Sequence, residues 1–236
     1  MKIDINSDLG EGIGNDAQLM PYLGSCNIAC GGHYGDETTM TKAIKLAQLY
    51  GVNIGAHPSF PDKENFGRKM MDISRRELQE TLYQQVTFFQ NLCHKLGVEM
   101  HHIKLHGALY NLAANDAEIA AVALNVFAAV QTDIKIYAPY NSAIAILADD
   151  YFPIVYEAFA DRSYNNDLSL VSRSKINAVI TDKLLAWKQV SSIIEAGKVK
   201  TIEGQMIAIK ADTFCVHGDQ ENAVEIVQYL HQCLKN

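Results

Sequence analysis

Short apolar runs recur along this chain, and almost every one ends in a polar cluster. Ile3-Asp4-Ile5 runs into Asn6, Asp8 and Glu11. Asn27-Ile28-Ala29-Cys30 runs into Gly31, Gly32, His33 and Asp36, and Val52 to Ala56 into His57 and Pro58. His102 to Leu105 runs into His106 and Gly107. Val155-Tyr156-Glu157 leads on to Asp161 and Arg162, and Phe214-Cys215-Val216 to His217, Gly218 and Asp219. With Ile134 to Ala138 these make about seven strand candidates. Helical patterns lie between them. Met40, Ala43, Ile44 and Ala47 share one face after Asp36, and Gly51 can close that helix. Ser74 with Glu77 fits a capping box ahead of Leu78, Leu82, Phe89 and Leu96, and Asn115 with Glu118 repeats the device. Asp182 opens a helix that stops at Gly197, and Asp219 opens the last one, with Val224, Val227 and Leu230 inward.

Strands alternating with helices imply a parallel sheet with helices outside. Polar groups at the carboxyl ends of successive strands are how a β/α barrel assembles one site from distant segments. The expected fold is therefore a single α/β domain over residues 1–236, an irregular seven-stranded β/α barrel, one strand short of the usual eight. Segments 168–181 and 198–211 are left over as a small accessory hairpin or an irregular eighth element.

Bulk properties narrow the partners. A length of 236 residues suits one barrel domain. The net charge of −7 disfavours nucleic acid and anionic membrane surfaces, since both attract basic patches. No signal peptide is visible, and the most apolar stretch, Ile119 to Val130, is broken by Asn125 and too short to span a bilayer. The odd number of cysteines, 5, with no C-x-x-C pair reads as reduced, mostly buried thiols in a cytoplasmic protein.

The polar clusters carry candidate chemistry. Asn6, Asp8 and Glu11 sit in a glycine-rich turn where carboxylates can act as a base, orient a histidine or hold a cation. Its glycines alternate at 10, 12 and 14, so G-x-G-x-x-G fails, and no G-x-x-x-x-G-K-[ST] occurs anywhere. Gly31 and Gly32 let backbone approach a ligand beside His33. His57 closes a strand, and Arg68 follows in a proline-stiffened loop as a carboxylate or phosphate ligand. Lys104 and His106 alternate on one strand and share a face. A buried Lys104 needs a partner, and Asp8 or Glu157 can supply it. Asp161 and Arg162, with Tyr164 and Arg173 behind, suit a substrate carboxylate. His217 and Asp219 complete the set, and His101 and His102 read as structural.

Together these clusters resemble the LamB/YcsF lactam-utilisation family, that of the A subunit of ATP-hydrolysing 5-oxoprolinase. The matching stretches are IDINSDLGEG, NIACGGHYGD, GAHPSFPDKENFGR, IKLHGALYN, EAFADRSY and CVHGD, in family order from residue 3 to 219. The chain departs from the family pattern at Gly32 (usually bulky), Tyr34 (alanine), Leu105 and Ser172 (both proline). The resemblance implies a barrel of the glycoside hydrolase/deacetylase type. It implies ATP-driven opening of 5-oxo-L-proline to L-glutamate together with subunits B and C, with ATP and Mg²⁺ bound on those partners or here, and no tightly bound organic cofactor. A homo-oligomer is compatible with it.

Opening a stabilised amide needs a base for water, donors for the oxyanion and a cation for the carboxylate. Asp8, His57 and His106 are candidates for the base or for orienting a metal or water. His33, His217 and Lys104 are candidates for charge stabilisation, with Glu11 beside them. Arg68, Arg162, Asp161, Asp219, Asn6 and Asn27 are the substrate-binding candidates. Two other readings stay open. Asp8, His57 and His106 also suit a facial metal site, as in an ATP-independent amidohydrolase or deacetylase. The chain also suits a non-catalytic subunit that binds the lactam.

Overall fold

The computed structural model describes residues 3–235. The order is β1 (Asp4–Leu9), α1 (Asp16–Leu19), a 3₁₀ turn (Met20–Tyr22), β2 (Ser25–Ala29), α2 (Glu37–Tyr50), β3 (Asn53–His57) and α3 (Arg75–Lys95). Then come β4 (His102–Ile103), α4 (Gly107–Asn115), α5 (Ala117–Val130), β5 (Lys135–Pro139), α6 (Ala143–Ala148) and β6 (Ile154–Phe159). The chain ends with α7 (Lys183–Ala196), β7 (Lys198–Lys200), β8 (Met206–Ala208), β9 (Thr213–Cys215) and α8 (Ala223–Lys235). The strands close a parallel barrel in the order β1-β2-β3-β4-β5-β6-β9, so the expected seven-stranded architecture is what the chain forms. Neither left-over segment enters the barrel. β7 and β8 pair as an antiparallel hairpin outside it, and residues 168–181 form an irregular strap tied by the bridges Arg162–Val179 and Tyr164–Leu170.

Period-two alternation gives each strand two different faces. Ile28, Ile54, Ile103, Ile136 and Phe214 point outward into one apolar cluster with Ile44 of α2, Leu82 and Phe89 of α3, Phe127 of α5 and Ile226 of α8. The inward residues are largely polar and bonded to one another. Asn6 donates to Thr213 at 2.8 Å, Asn27 donates to Asn6 at 2.8 Å, and the His102 ring meets the Asn27 side-chain Oδ1 at 2.8 Å and stacks on Tyr137. Gly55 makes room for this layer, because a Cβ there would collide with the His102 ring.

The helix ends follow their sequence signals with two corrections. Asp36 caps α2, Ser74 and Glu77 form the capping box of α3, Asp182 caps α7, and Gly51 and Gly197 close α2 and α7 in the left-handed region. The cap of α5 is Asp116, not Asn115: its carboxylate accepts from the amides of Glu118 and Ile119, while Asn115 ends α4. Asp219 does not open the last helix, which begins at Ala223; its carboxylate is held by two arginines instead. All cysteines are unpaired, and only Cys233 is not buried. Among the described residues no single helix is long and apolar enough to cross a membrane. α4 and α5 reach that length and composition only as a pair bent by 114°.

Candidate active site

The barrel opens at the carboxyl ends of its strands into a cavity of about 370 Å³. Asp8, His57, Lys104, His106 and His217 line it, with Phe159 and Tyr110 as apolar wall and Arg68, Arg162 and Arg173 near the mouth. The size suits a small molecule.

Lys104 lies at the centre of the floor, fully buried. Its ammonium stands 2.9 Å from Asp8 Oδ1, 2.8 Å from Glu157 Oε1 and 3.1 Å from Cys215 Sγ. Burial pulls the Lys104 ammonium down, but Asp8, Cys215 and Glu157 outweigh it, and the pKa is held well above its ordinary value. Its three N–H bonds therefore have protein acceptors already. That makes Lys104 a fixed positive charge that positions Asp8, with Asp8 and Glu157 as the partners a buried cation requires. Asp8 answers in kind. Burial pushes its carboxyl up, His57 and Lys104 outweigh that, and it stays well below the usual carboxylate range. Asn27 donates to the same Oδ1 at 2.8 Å, which leaves Oδ2 facing His57 Nε2 at 3.4 Å.

Three histidines gather beside it. His57 Nδ1 bonds the Lys104 carbonyl at 2.8 Å, and His106 Nε2 bonds the Phe66 carbonyl at 3.0 Å. The opposite nitrogens, His57 Nε2 and His106 Nδ1, stand 2.9 Å apart. His33 stacks on His106 with ring centroids 3.7 Å apart and meets Glu11 Oε1 at 2.9 Å. Burial pushes the His33 imidazole down to about 2 and holds His106 well below its ordinary value, with His33 and His57 adding to the latter. Burial, then the neighbouring Asp8 charge, raises the Glu11 carboxyl to about 7. His33 and Glu11 thus sit behind His106 and do not line the cavity.

On the opposite wall His217 Nδ1 lies 3.1 Å from both Asp161 oxygens, and Asp161 also accepts from the His217 amide and from Gln220. Asp161 therefore orients His217 and is not among the residues lining the cavity. Asn6 and Asn27 are likewise bonded within the interior layer below Asp8 and are not among the residues lining the cavity. Arg162 lines the cavity, but its guanidinium donates to the carbonyls of Val171 and Ala178 and so fixes the 168–181 strap. Burial, then Arg173, lowers its pKa. The cations available to a substrate anion are Arg68 and Arg173, whose side chains keep 39% and 35% exposure while sharing Asp219.

Several contributors carried no signal of their own in the sequence. Phe66 has φ 57, a left-handed conformation that is strained for a bulky residue. That conformation lets its carbonyl meet His106 and its ring flank His33. Gln85 of α3 accepts from the Ser59 amide and donates to the Ser59 carbonyl, filling the space where a Cβ on Gly32 would fall. The glycine at 32 and the amide at 85 are thus one packing unit. Tyr34 places its hydroxyl against Gly12, whose φ of 77 also demands glycine.

Among the described residues, three sets of side chains bring ligand atoms close enough for a cation: Asp8-His57-His106, Glu11-His33-His106 and Asp8-Cys215-His217. The loops around the cavity carry none of the phosphate-loop sequence.

Fold and site together define a parallel β/α-barrel protein with a cavity lined by carboxylate, histidine, lysine and arginine side chains at the carboxyl ends of its strands. Within that class the chain belongs to the LamB/YcsF family, whose model matches residues 3–236. It is 41% identical to the A subunit of 5-oxoprolinase from Histophilus somni (strain 129Pt), over 99% of this chain and 95% of that one. It is 40% identical to the corresponding 5-oxoprolinase A subunit of Thermococcus sibiricus, over 100% of this chain and 94% of the relative. The solved lactam utilization protein from Thermus thermophilus superposes with a TM-score of 0.92 at 32% identity, covering 100% of this chain and 96% of that one.

Proposed function

We propose that this chain is the lactam-opening subunit of an ATP-dependent 5-oxoprolinase, converting 5-oxo-L-proline to L-glutamate with subunits B and C. The observation that carries this reading is the pairing of a buried Asp8-His57-His106 cluster with an arginine-bearing mouth across one small cavity. The relatives named as the A subunit of 5-oxoprolinase supply the substrate.

In this reading Arg68 and Arg173 take the substrate carboxylate, with Asp219 holding both forks in place. The ring carbonyl then lies over the floor. With no cation bound there, the Asp8-His57-His106 cluster positions a water and accepts its proton as the oxygen adds to the ring carbon. The C–N bond breaks, and the ring nitrogen takes a proton from His217, which Asp161 orients. Lys104 keeps Asp8 ionised. ATP and its Mg²⁺ act on the partner subunits, where phosphorylation of the amide oxygen would weaken amide resonance; C–N cleavage then leaves the phosphoryl group on the new side-chain carboxyl, and a second water releases it, giving glutamate, ADP and phosphate. The absence of a phosphate-loop motif from this sequence supports that division of labour.

The test is glutamate formation from 5-oxoproline, measured with and without ATP and with and without subunits B and C. Turnover is expected only when all are present, and the chain alone is expected to show no ATPase activity. Robust ATP hydrolysis by the pure chain would reject the division between subunits. Lactam hydrolysis without ATP would favour the second reading, an ATP-independent amidohydrolase, which the facial Asp8-His57-His106 arrangement also suits.

A further inference from the structure

We propose that Asp8, His57 and His106 form a binding site for one divalent transition-metal ion of the zinc, cobalt or manganese type, open to the cavity. A neutral imidazole carries one N–H. His57 Nδ1 faces the Lys104 carbonyl and His106 Nε2 faces the Phe66 carbonyl, and a carbonyl only accepts, so each ring spends its proton there. The remaining nitrogens then face each other as bare lone pairs at 2.9 Å. Two lone pairs at that distance repel unless a cation lies between or beside them.

The distances suit an ion. Metal–imidazole bonds of about 2.0–2.1 Å place two nitrogens roughly 3.3 Å apart at the tetrahedral angle and roughly 3 Å apart at a right angle, so 2.9 Å lies at the short end of that range. Asp8 Oδ2 lies 3.4 Å from His57 Nε2, and its partner oxygen Oδ1 is already engaged by Lys104 and Asn27. The free carboxylate oxygen therefore points at the pair. Backbone carbonyls that hold the second nitrogen of each ring are the usual support of metal-bound histidine. Two imidazoles and one carboxylate on one side of an ion leave positions for water or substrate, and that donor set selects borderline transition ions over Mg²⁺.

Charge points the same way. Asp8 and Glu157 are both buried at the floor, with Lys104 as the cation between them. A single shared proton would also settle the nitrogen pair, and metal titration distinguishes the two. The other two ligand sets are poorer. His33 and Glu11 already bond each other, with His33 Nδ1 left without a fixed partner. Cys215 touches the Lys104 ammonium, and burial holds its thiol protonated.

The full chain, stripped with a chelator and checked for folding by circular dichroism, is titrated separately with Zn²⁺, Co²⁺, Mn²⁺ and Mg²⁺. Calorimetry follows the heat, and visible absorption follows Co²⁺. Zn²⁺ or Co²⁺ is expected to bind at one ion per chain and to raise the thermal midpoint, with Mg²⁺ at least 100-fold weaker. His57→Gln and His106→Gln should each weaken binding at least 100-fold, and His217→Gln should not. If those variants fail to fold, histidine ¹⁵N resonances of the wild-type chain decide. Zinc must shift His57 Nε2 and His106 Nδ1 and leave the other nitrogen of each ring protonated. No saturable binding, equal loss in His217→Gln, or unmoved resonances would overturn the site. Because every readout is binding, failure here is distinguishable from failure of the lactam reaction.

Discussion

The inside of the barrel and the shell around it are built on opposite rules, although the same strands serve both. The shell is apolar: Ile28, Ile54, Ile103, Ile136 and Phe214 meet Leu82, Phe89 and Phe127 of the surrounding helices. The inside, which in most β/α barrels is packed with branched apolar layers, is here a column of Asn6, Asn27, His102, Asp8, Lys104 and Glu157. Those groups escape the cost of burial only by bonding one another. The difference teaches that folding energy comes from the outer face of each strand, which frees the inner face for chemistry. A damaged shell should lower stability and leave each folded molecule competent. A damaged column should harm turnover even where the fold survives.

The largest expected stability effect joins both regions. Lys104→Met removes the ammonium and leaves Asp8 and Glu157 buried without it, which should cost about 3–5 kcal/mol and abolish turnover. Urea denaturation measures the first and the reconstituted lactam assay the second. A variant as stable as wild type would mean the column is not held by its charges. Next is Leu82→Ala, a shell change that should cost roughly 2–5 kcal/mol through a cavity between α3 and the strands. Its turnover per folded molecule should match wild type at a temperature well below its melting point. A large drop there would break the separation of the two regions.

The smallest effect concerns pH. Burial holds His102 well below its ordinary value of 6.5 and lowers His101 to about 4, so both stay neutral in the fold. Above about pH 6.5 the unfolded chain is neutral at these positions too, and they contribute no pH dependence. As pH falls below that value, the unfolded chain takes up protons that the fold refuses, and stability should decline. Urea midpoints between pH 7.5 and 5.0 follow this, and His102→Gln should flatten the slope. An unchanged slope in that variant would remove His102 from the acid-sensitive part of the column.

Strand placement was legible in the sequence because each apolar run is short and almost every one ends in a polar cluster. The pairing of Lys104 with Asp8 and Glu157 followed from the strand period and the cost of a buried cation. What stayed hidden depends on distant partners. Asp219 reads as a helix cap from its neighbours alone, but Arg68, 151 positions away, claims it. Asn6 and Asn27 look like ligands because amides at strand ends often are, and only the barrel's closure shows them bonded to Thr213 and Asp8. α4 was obscured because its first turn is also the site segment after His106. The left-handed Phe66 has no composition signal, since the strain is imposed by the loop that places its carbonyl on His106.

The central claim is that the polar column ends in the chemistry of lactam opening. Its most direct test is glutamate formation from 5-oxoproline with ATP and subunits B and C, comparing wild type with His106→Ala and Asp8→Asn at matched folded concentration. Each substitution is expected to lower turnover by about 100-fold or more, the scale of a lost acid–base group, with cooperative unfolding retained. Near-normal turnover in either variant would contradict the role assigned to that residue, and near-normal turnover in both would remove the reaction from this cavity.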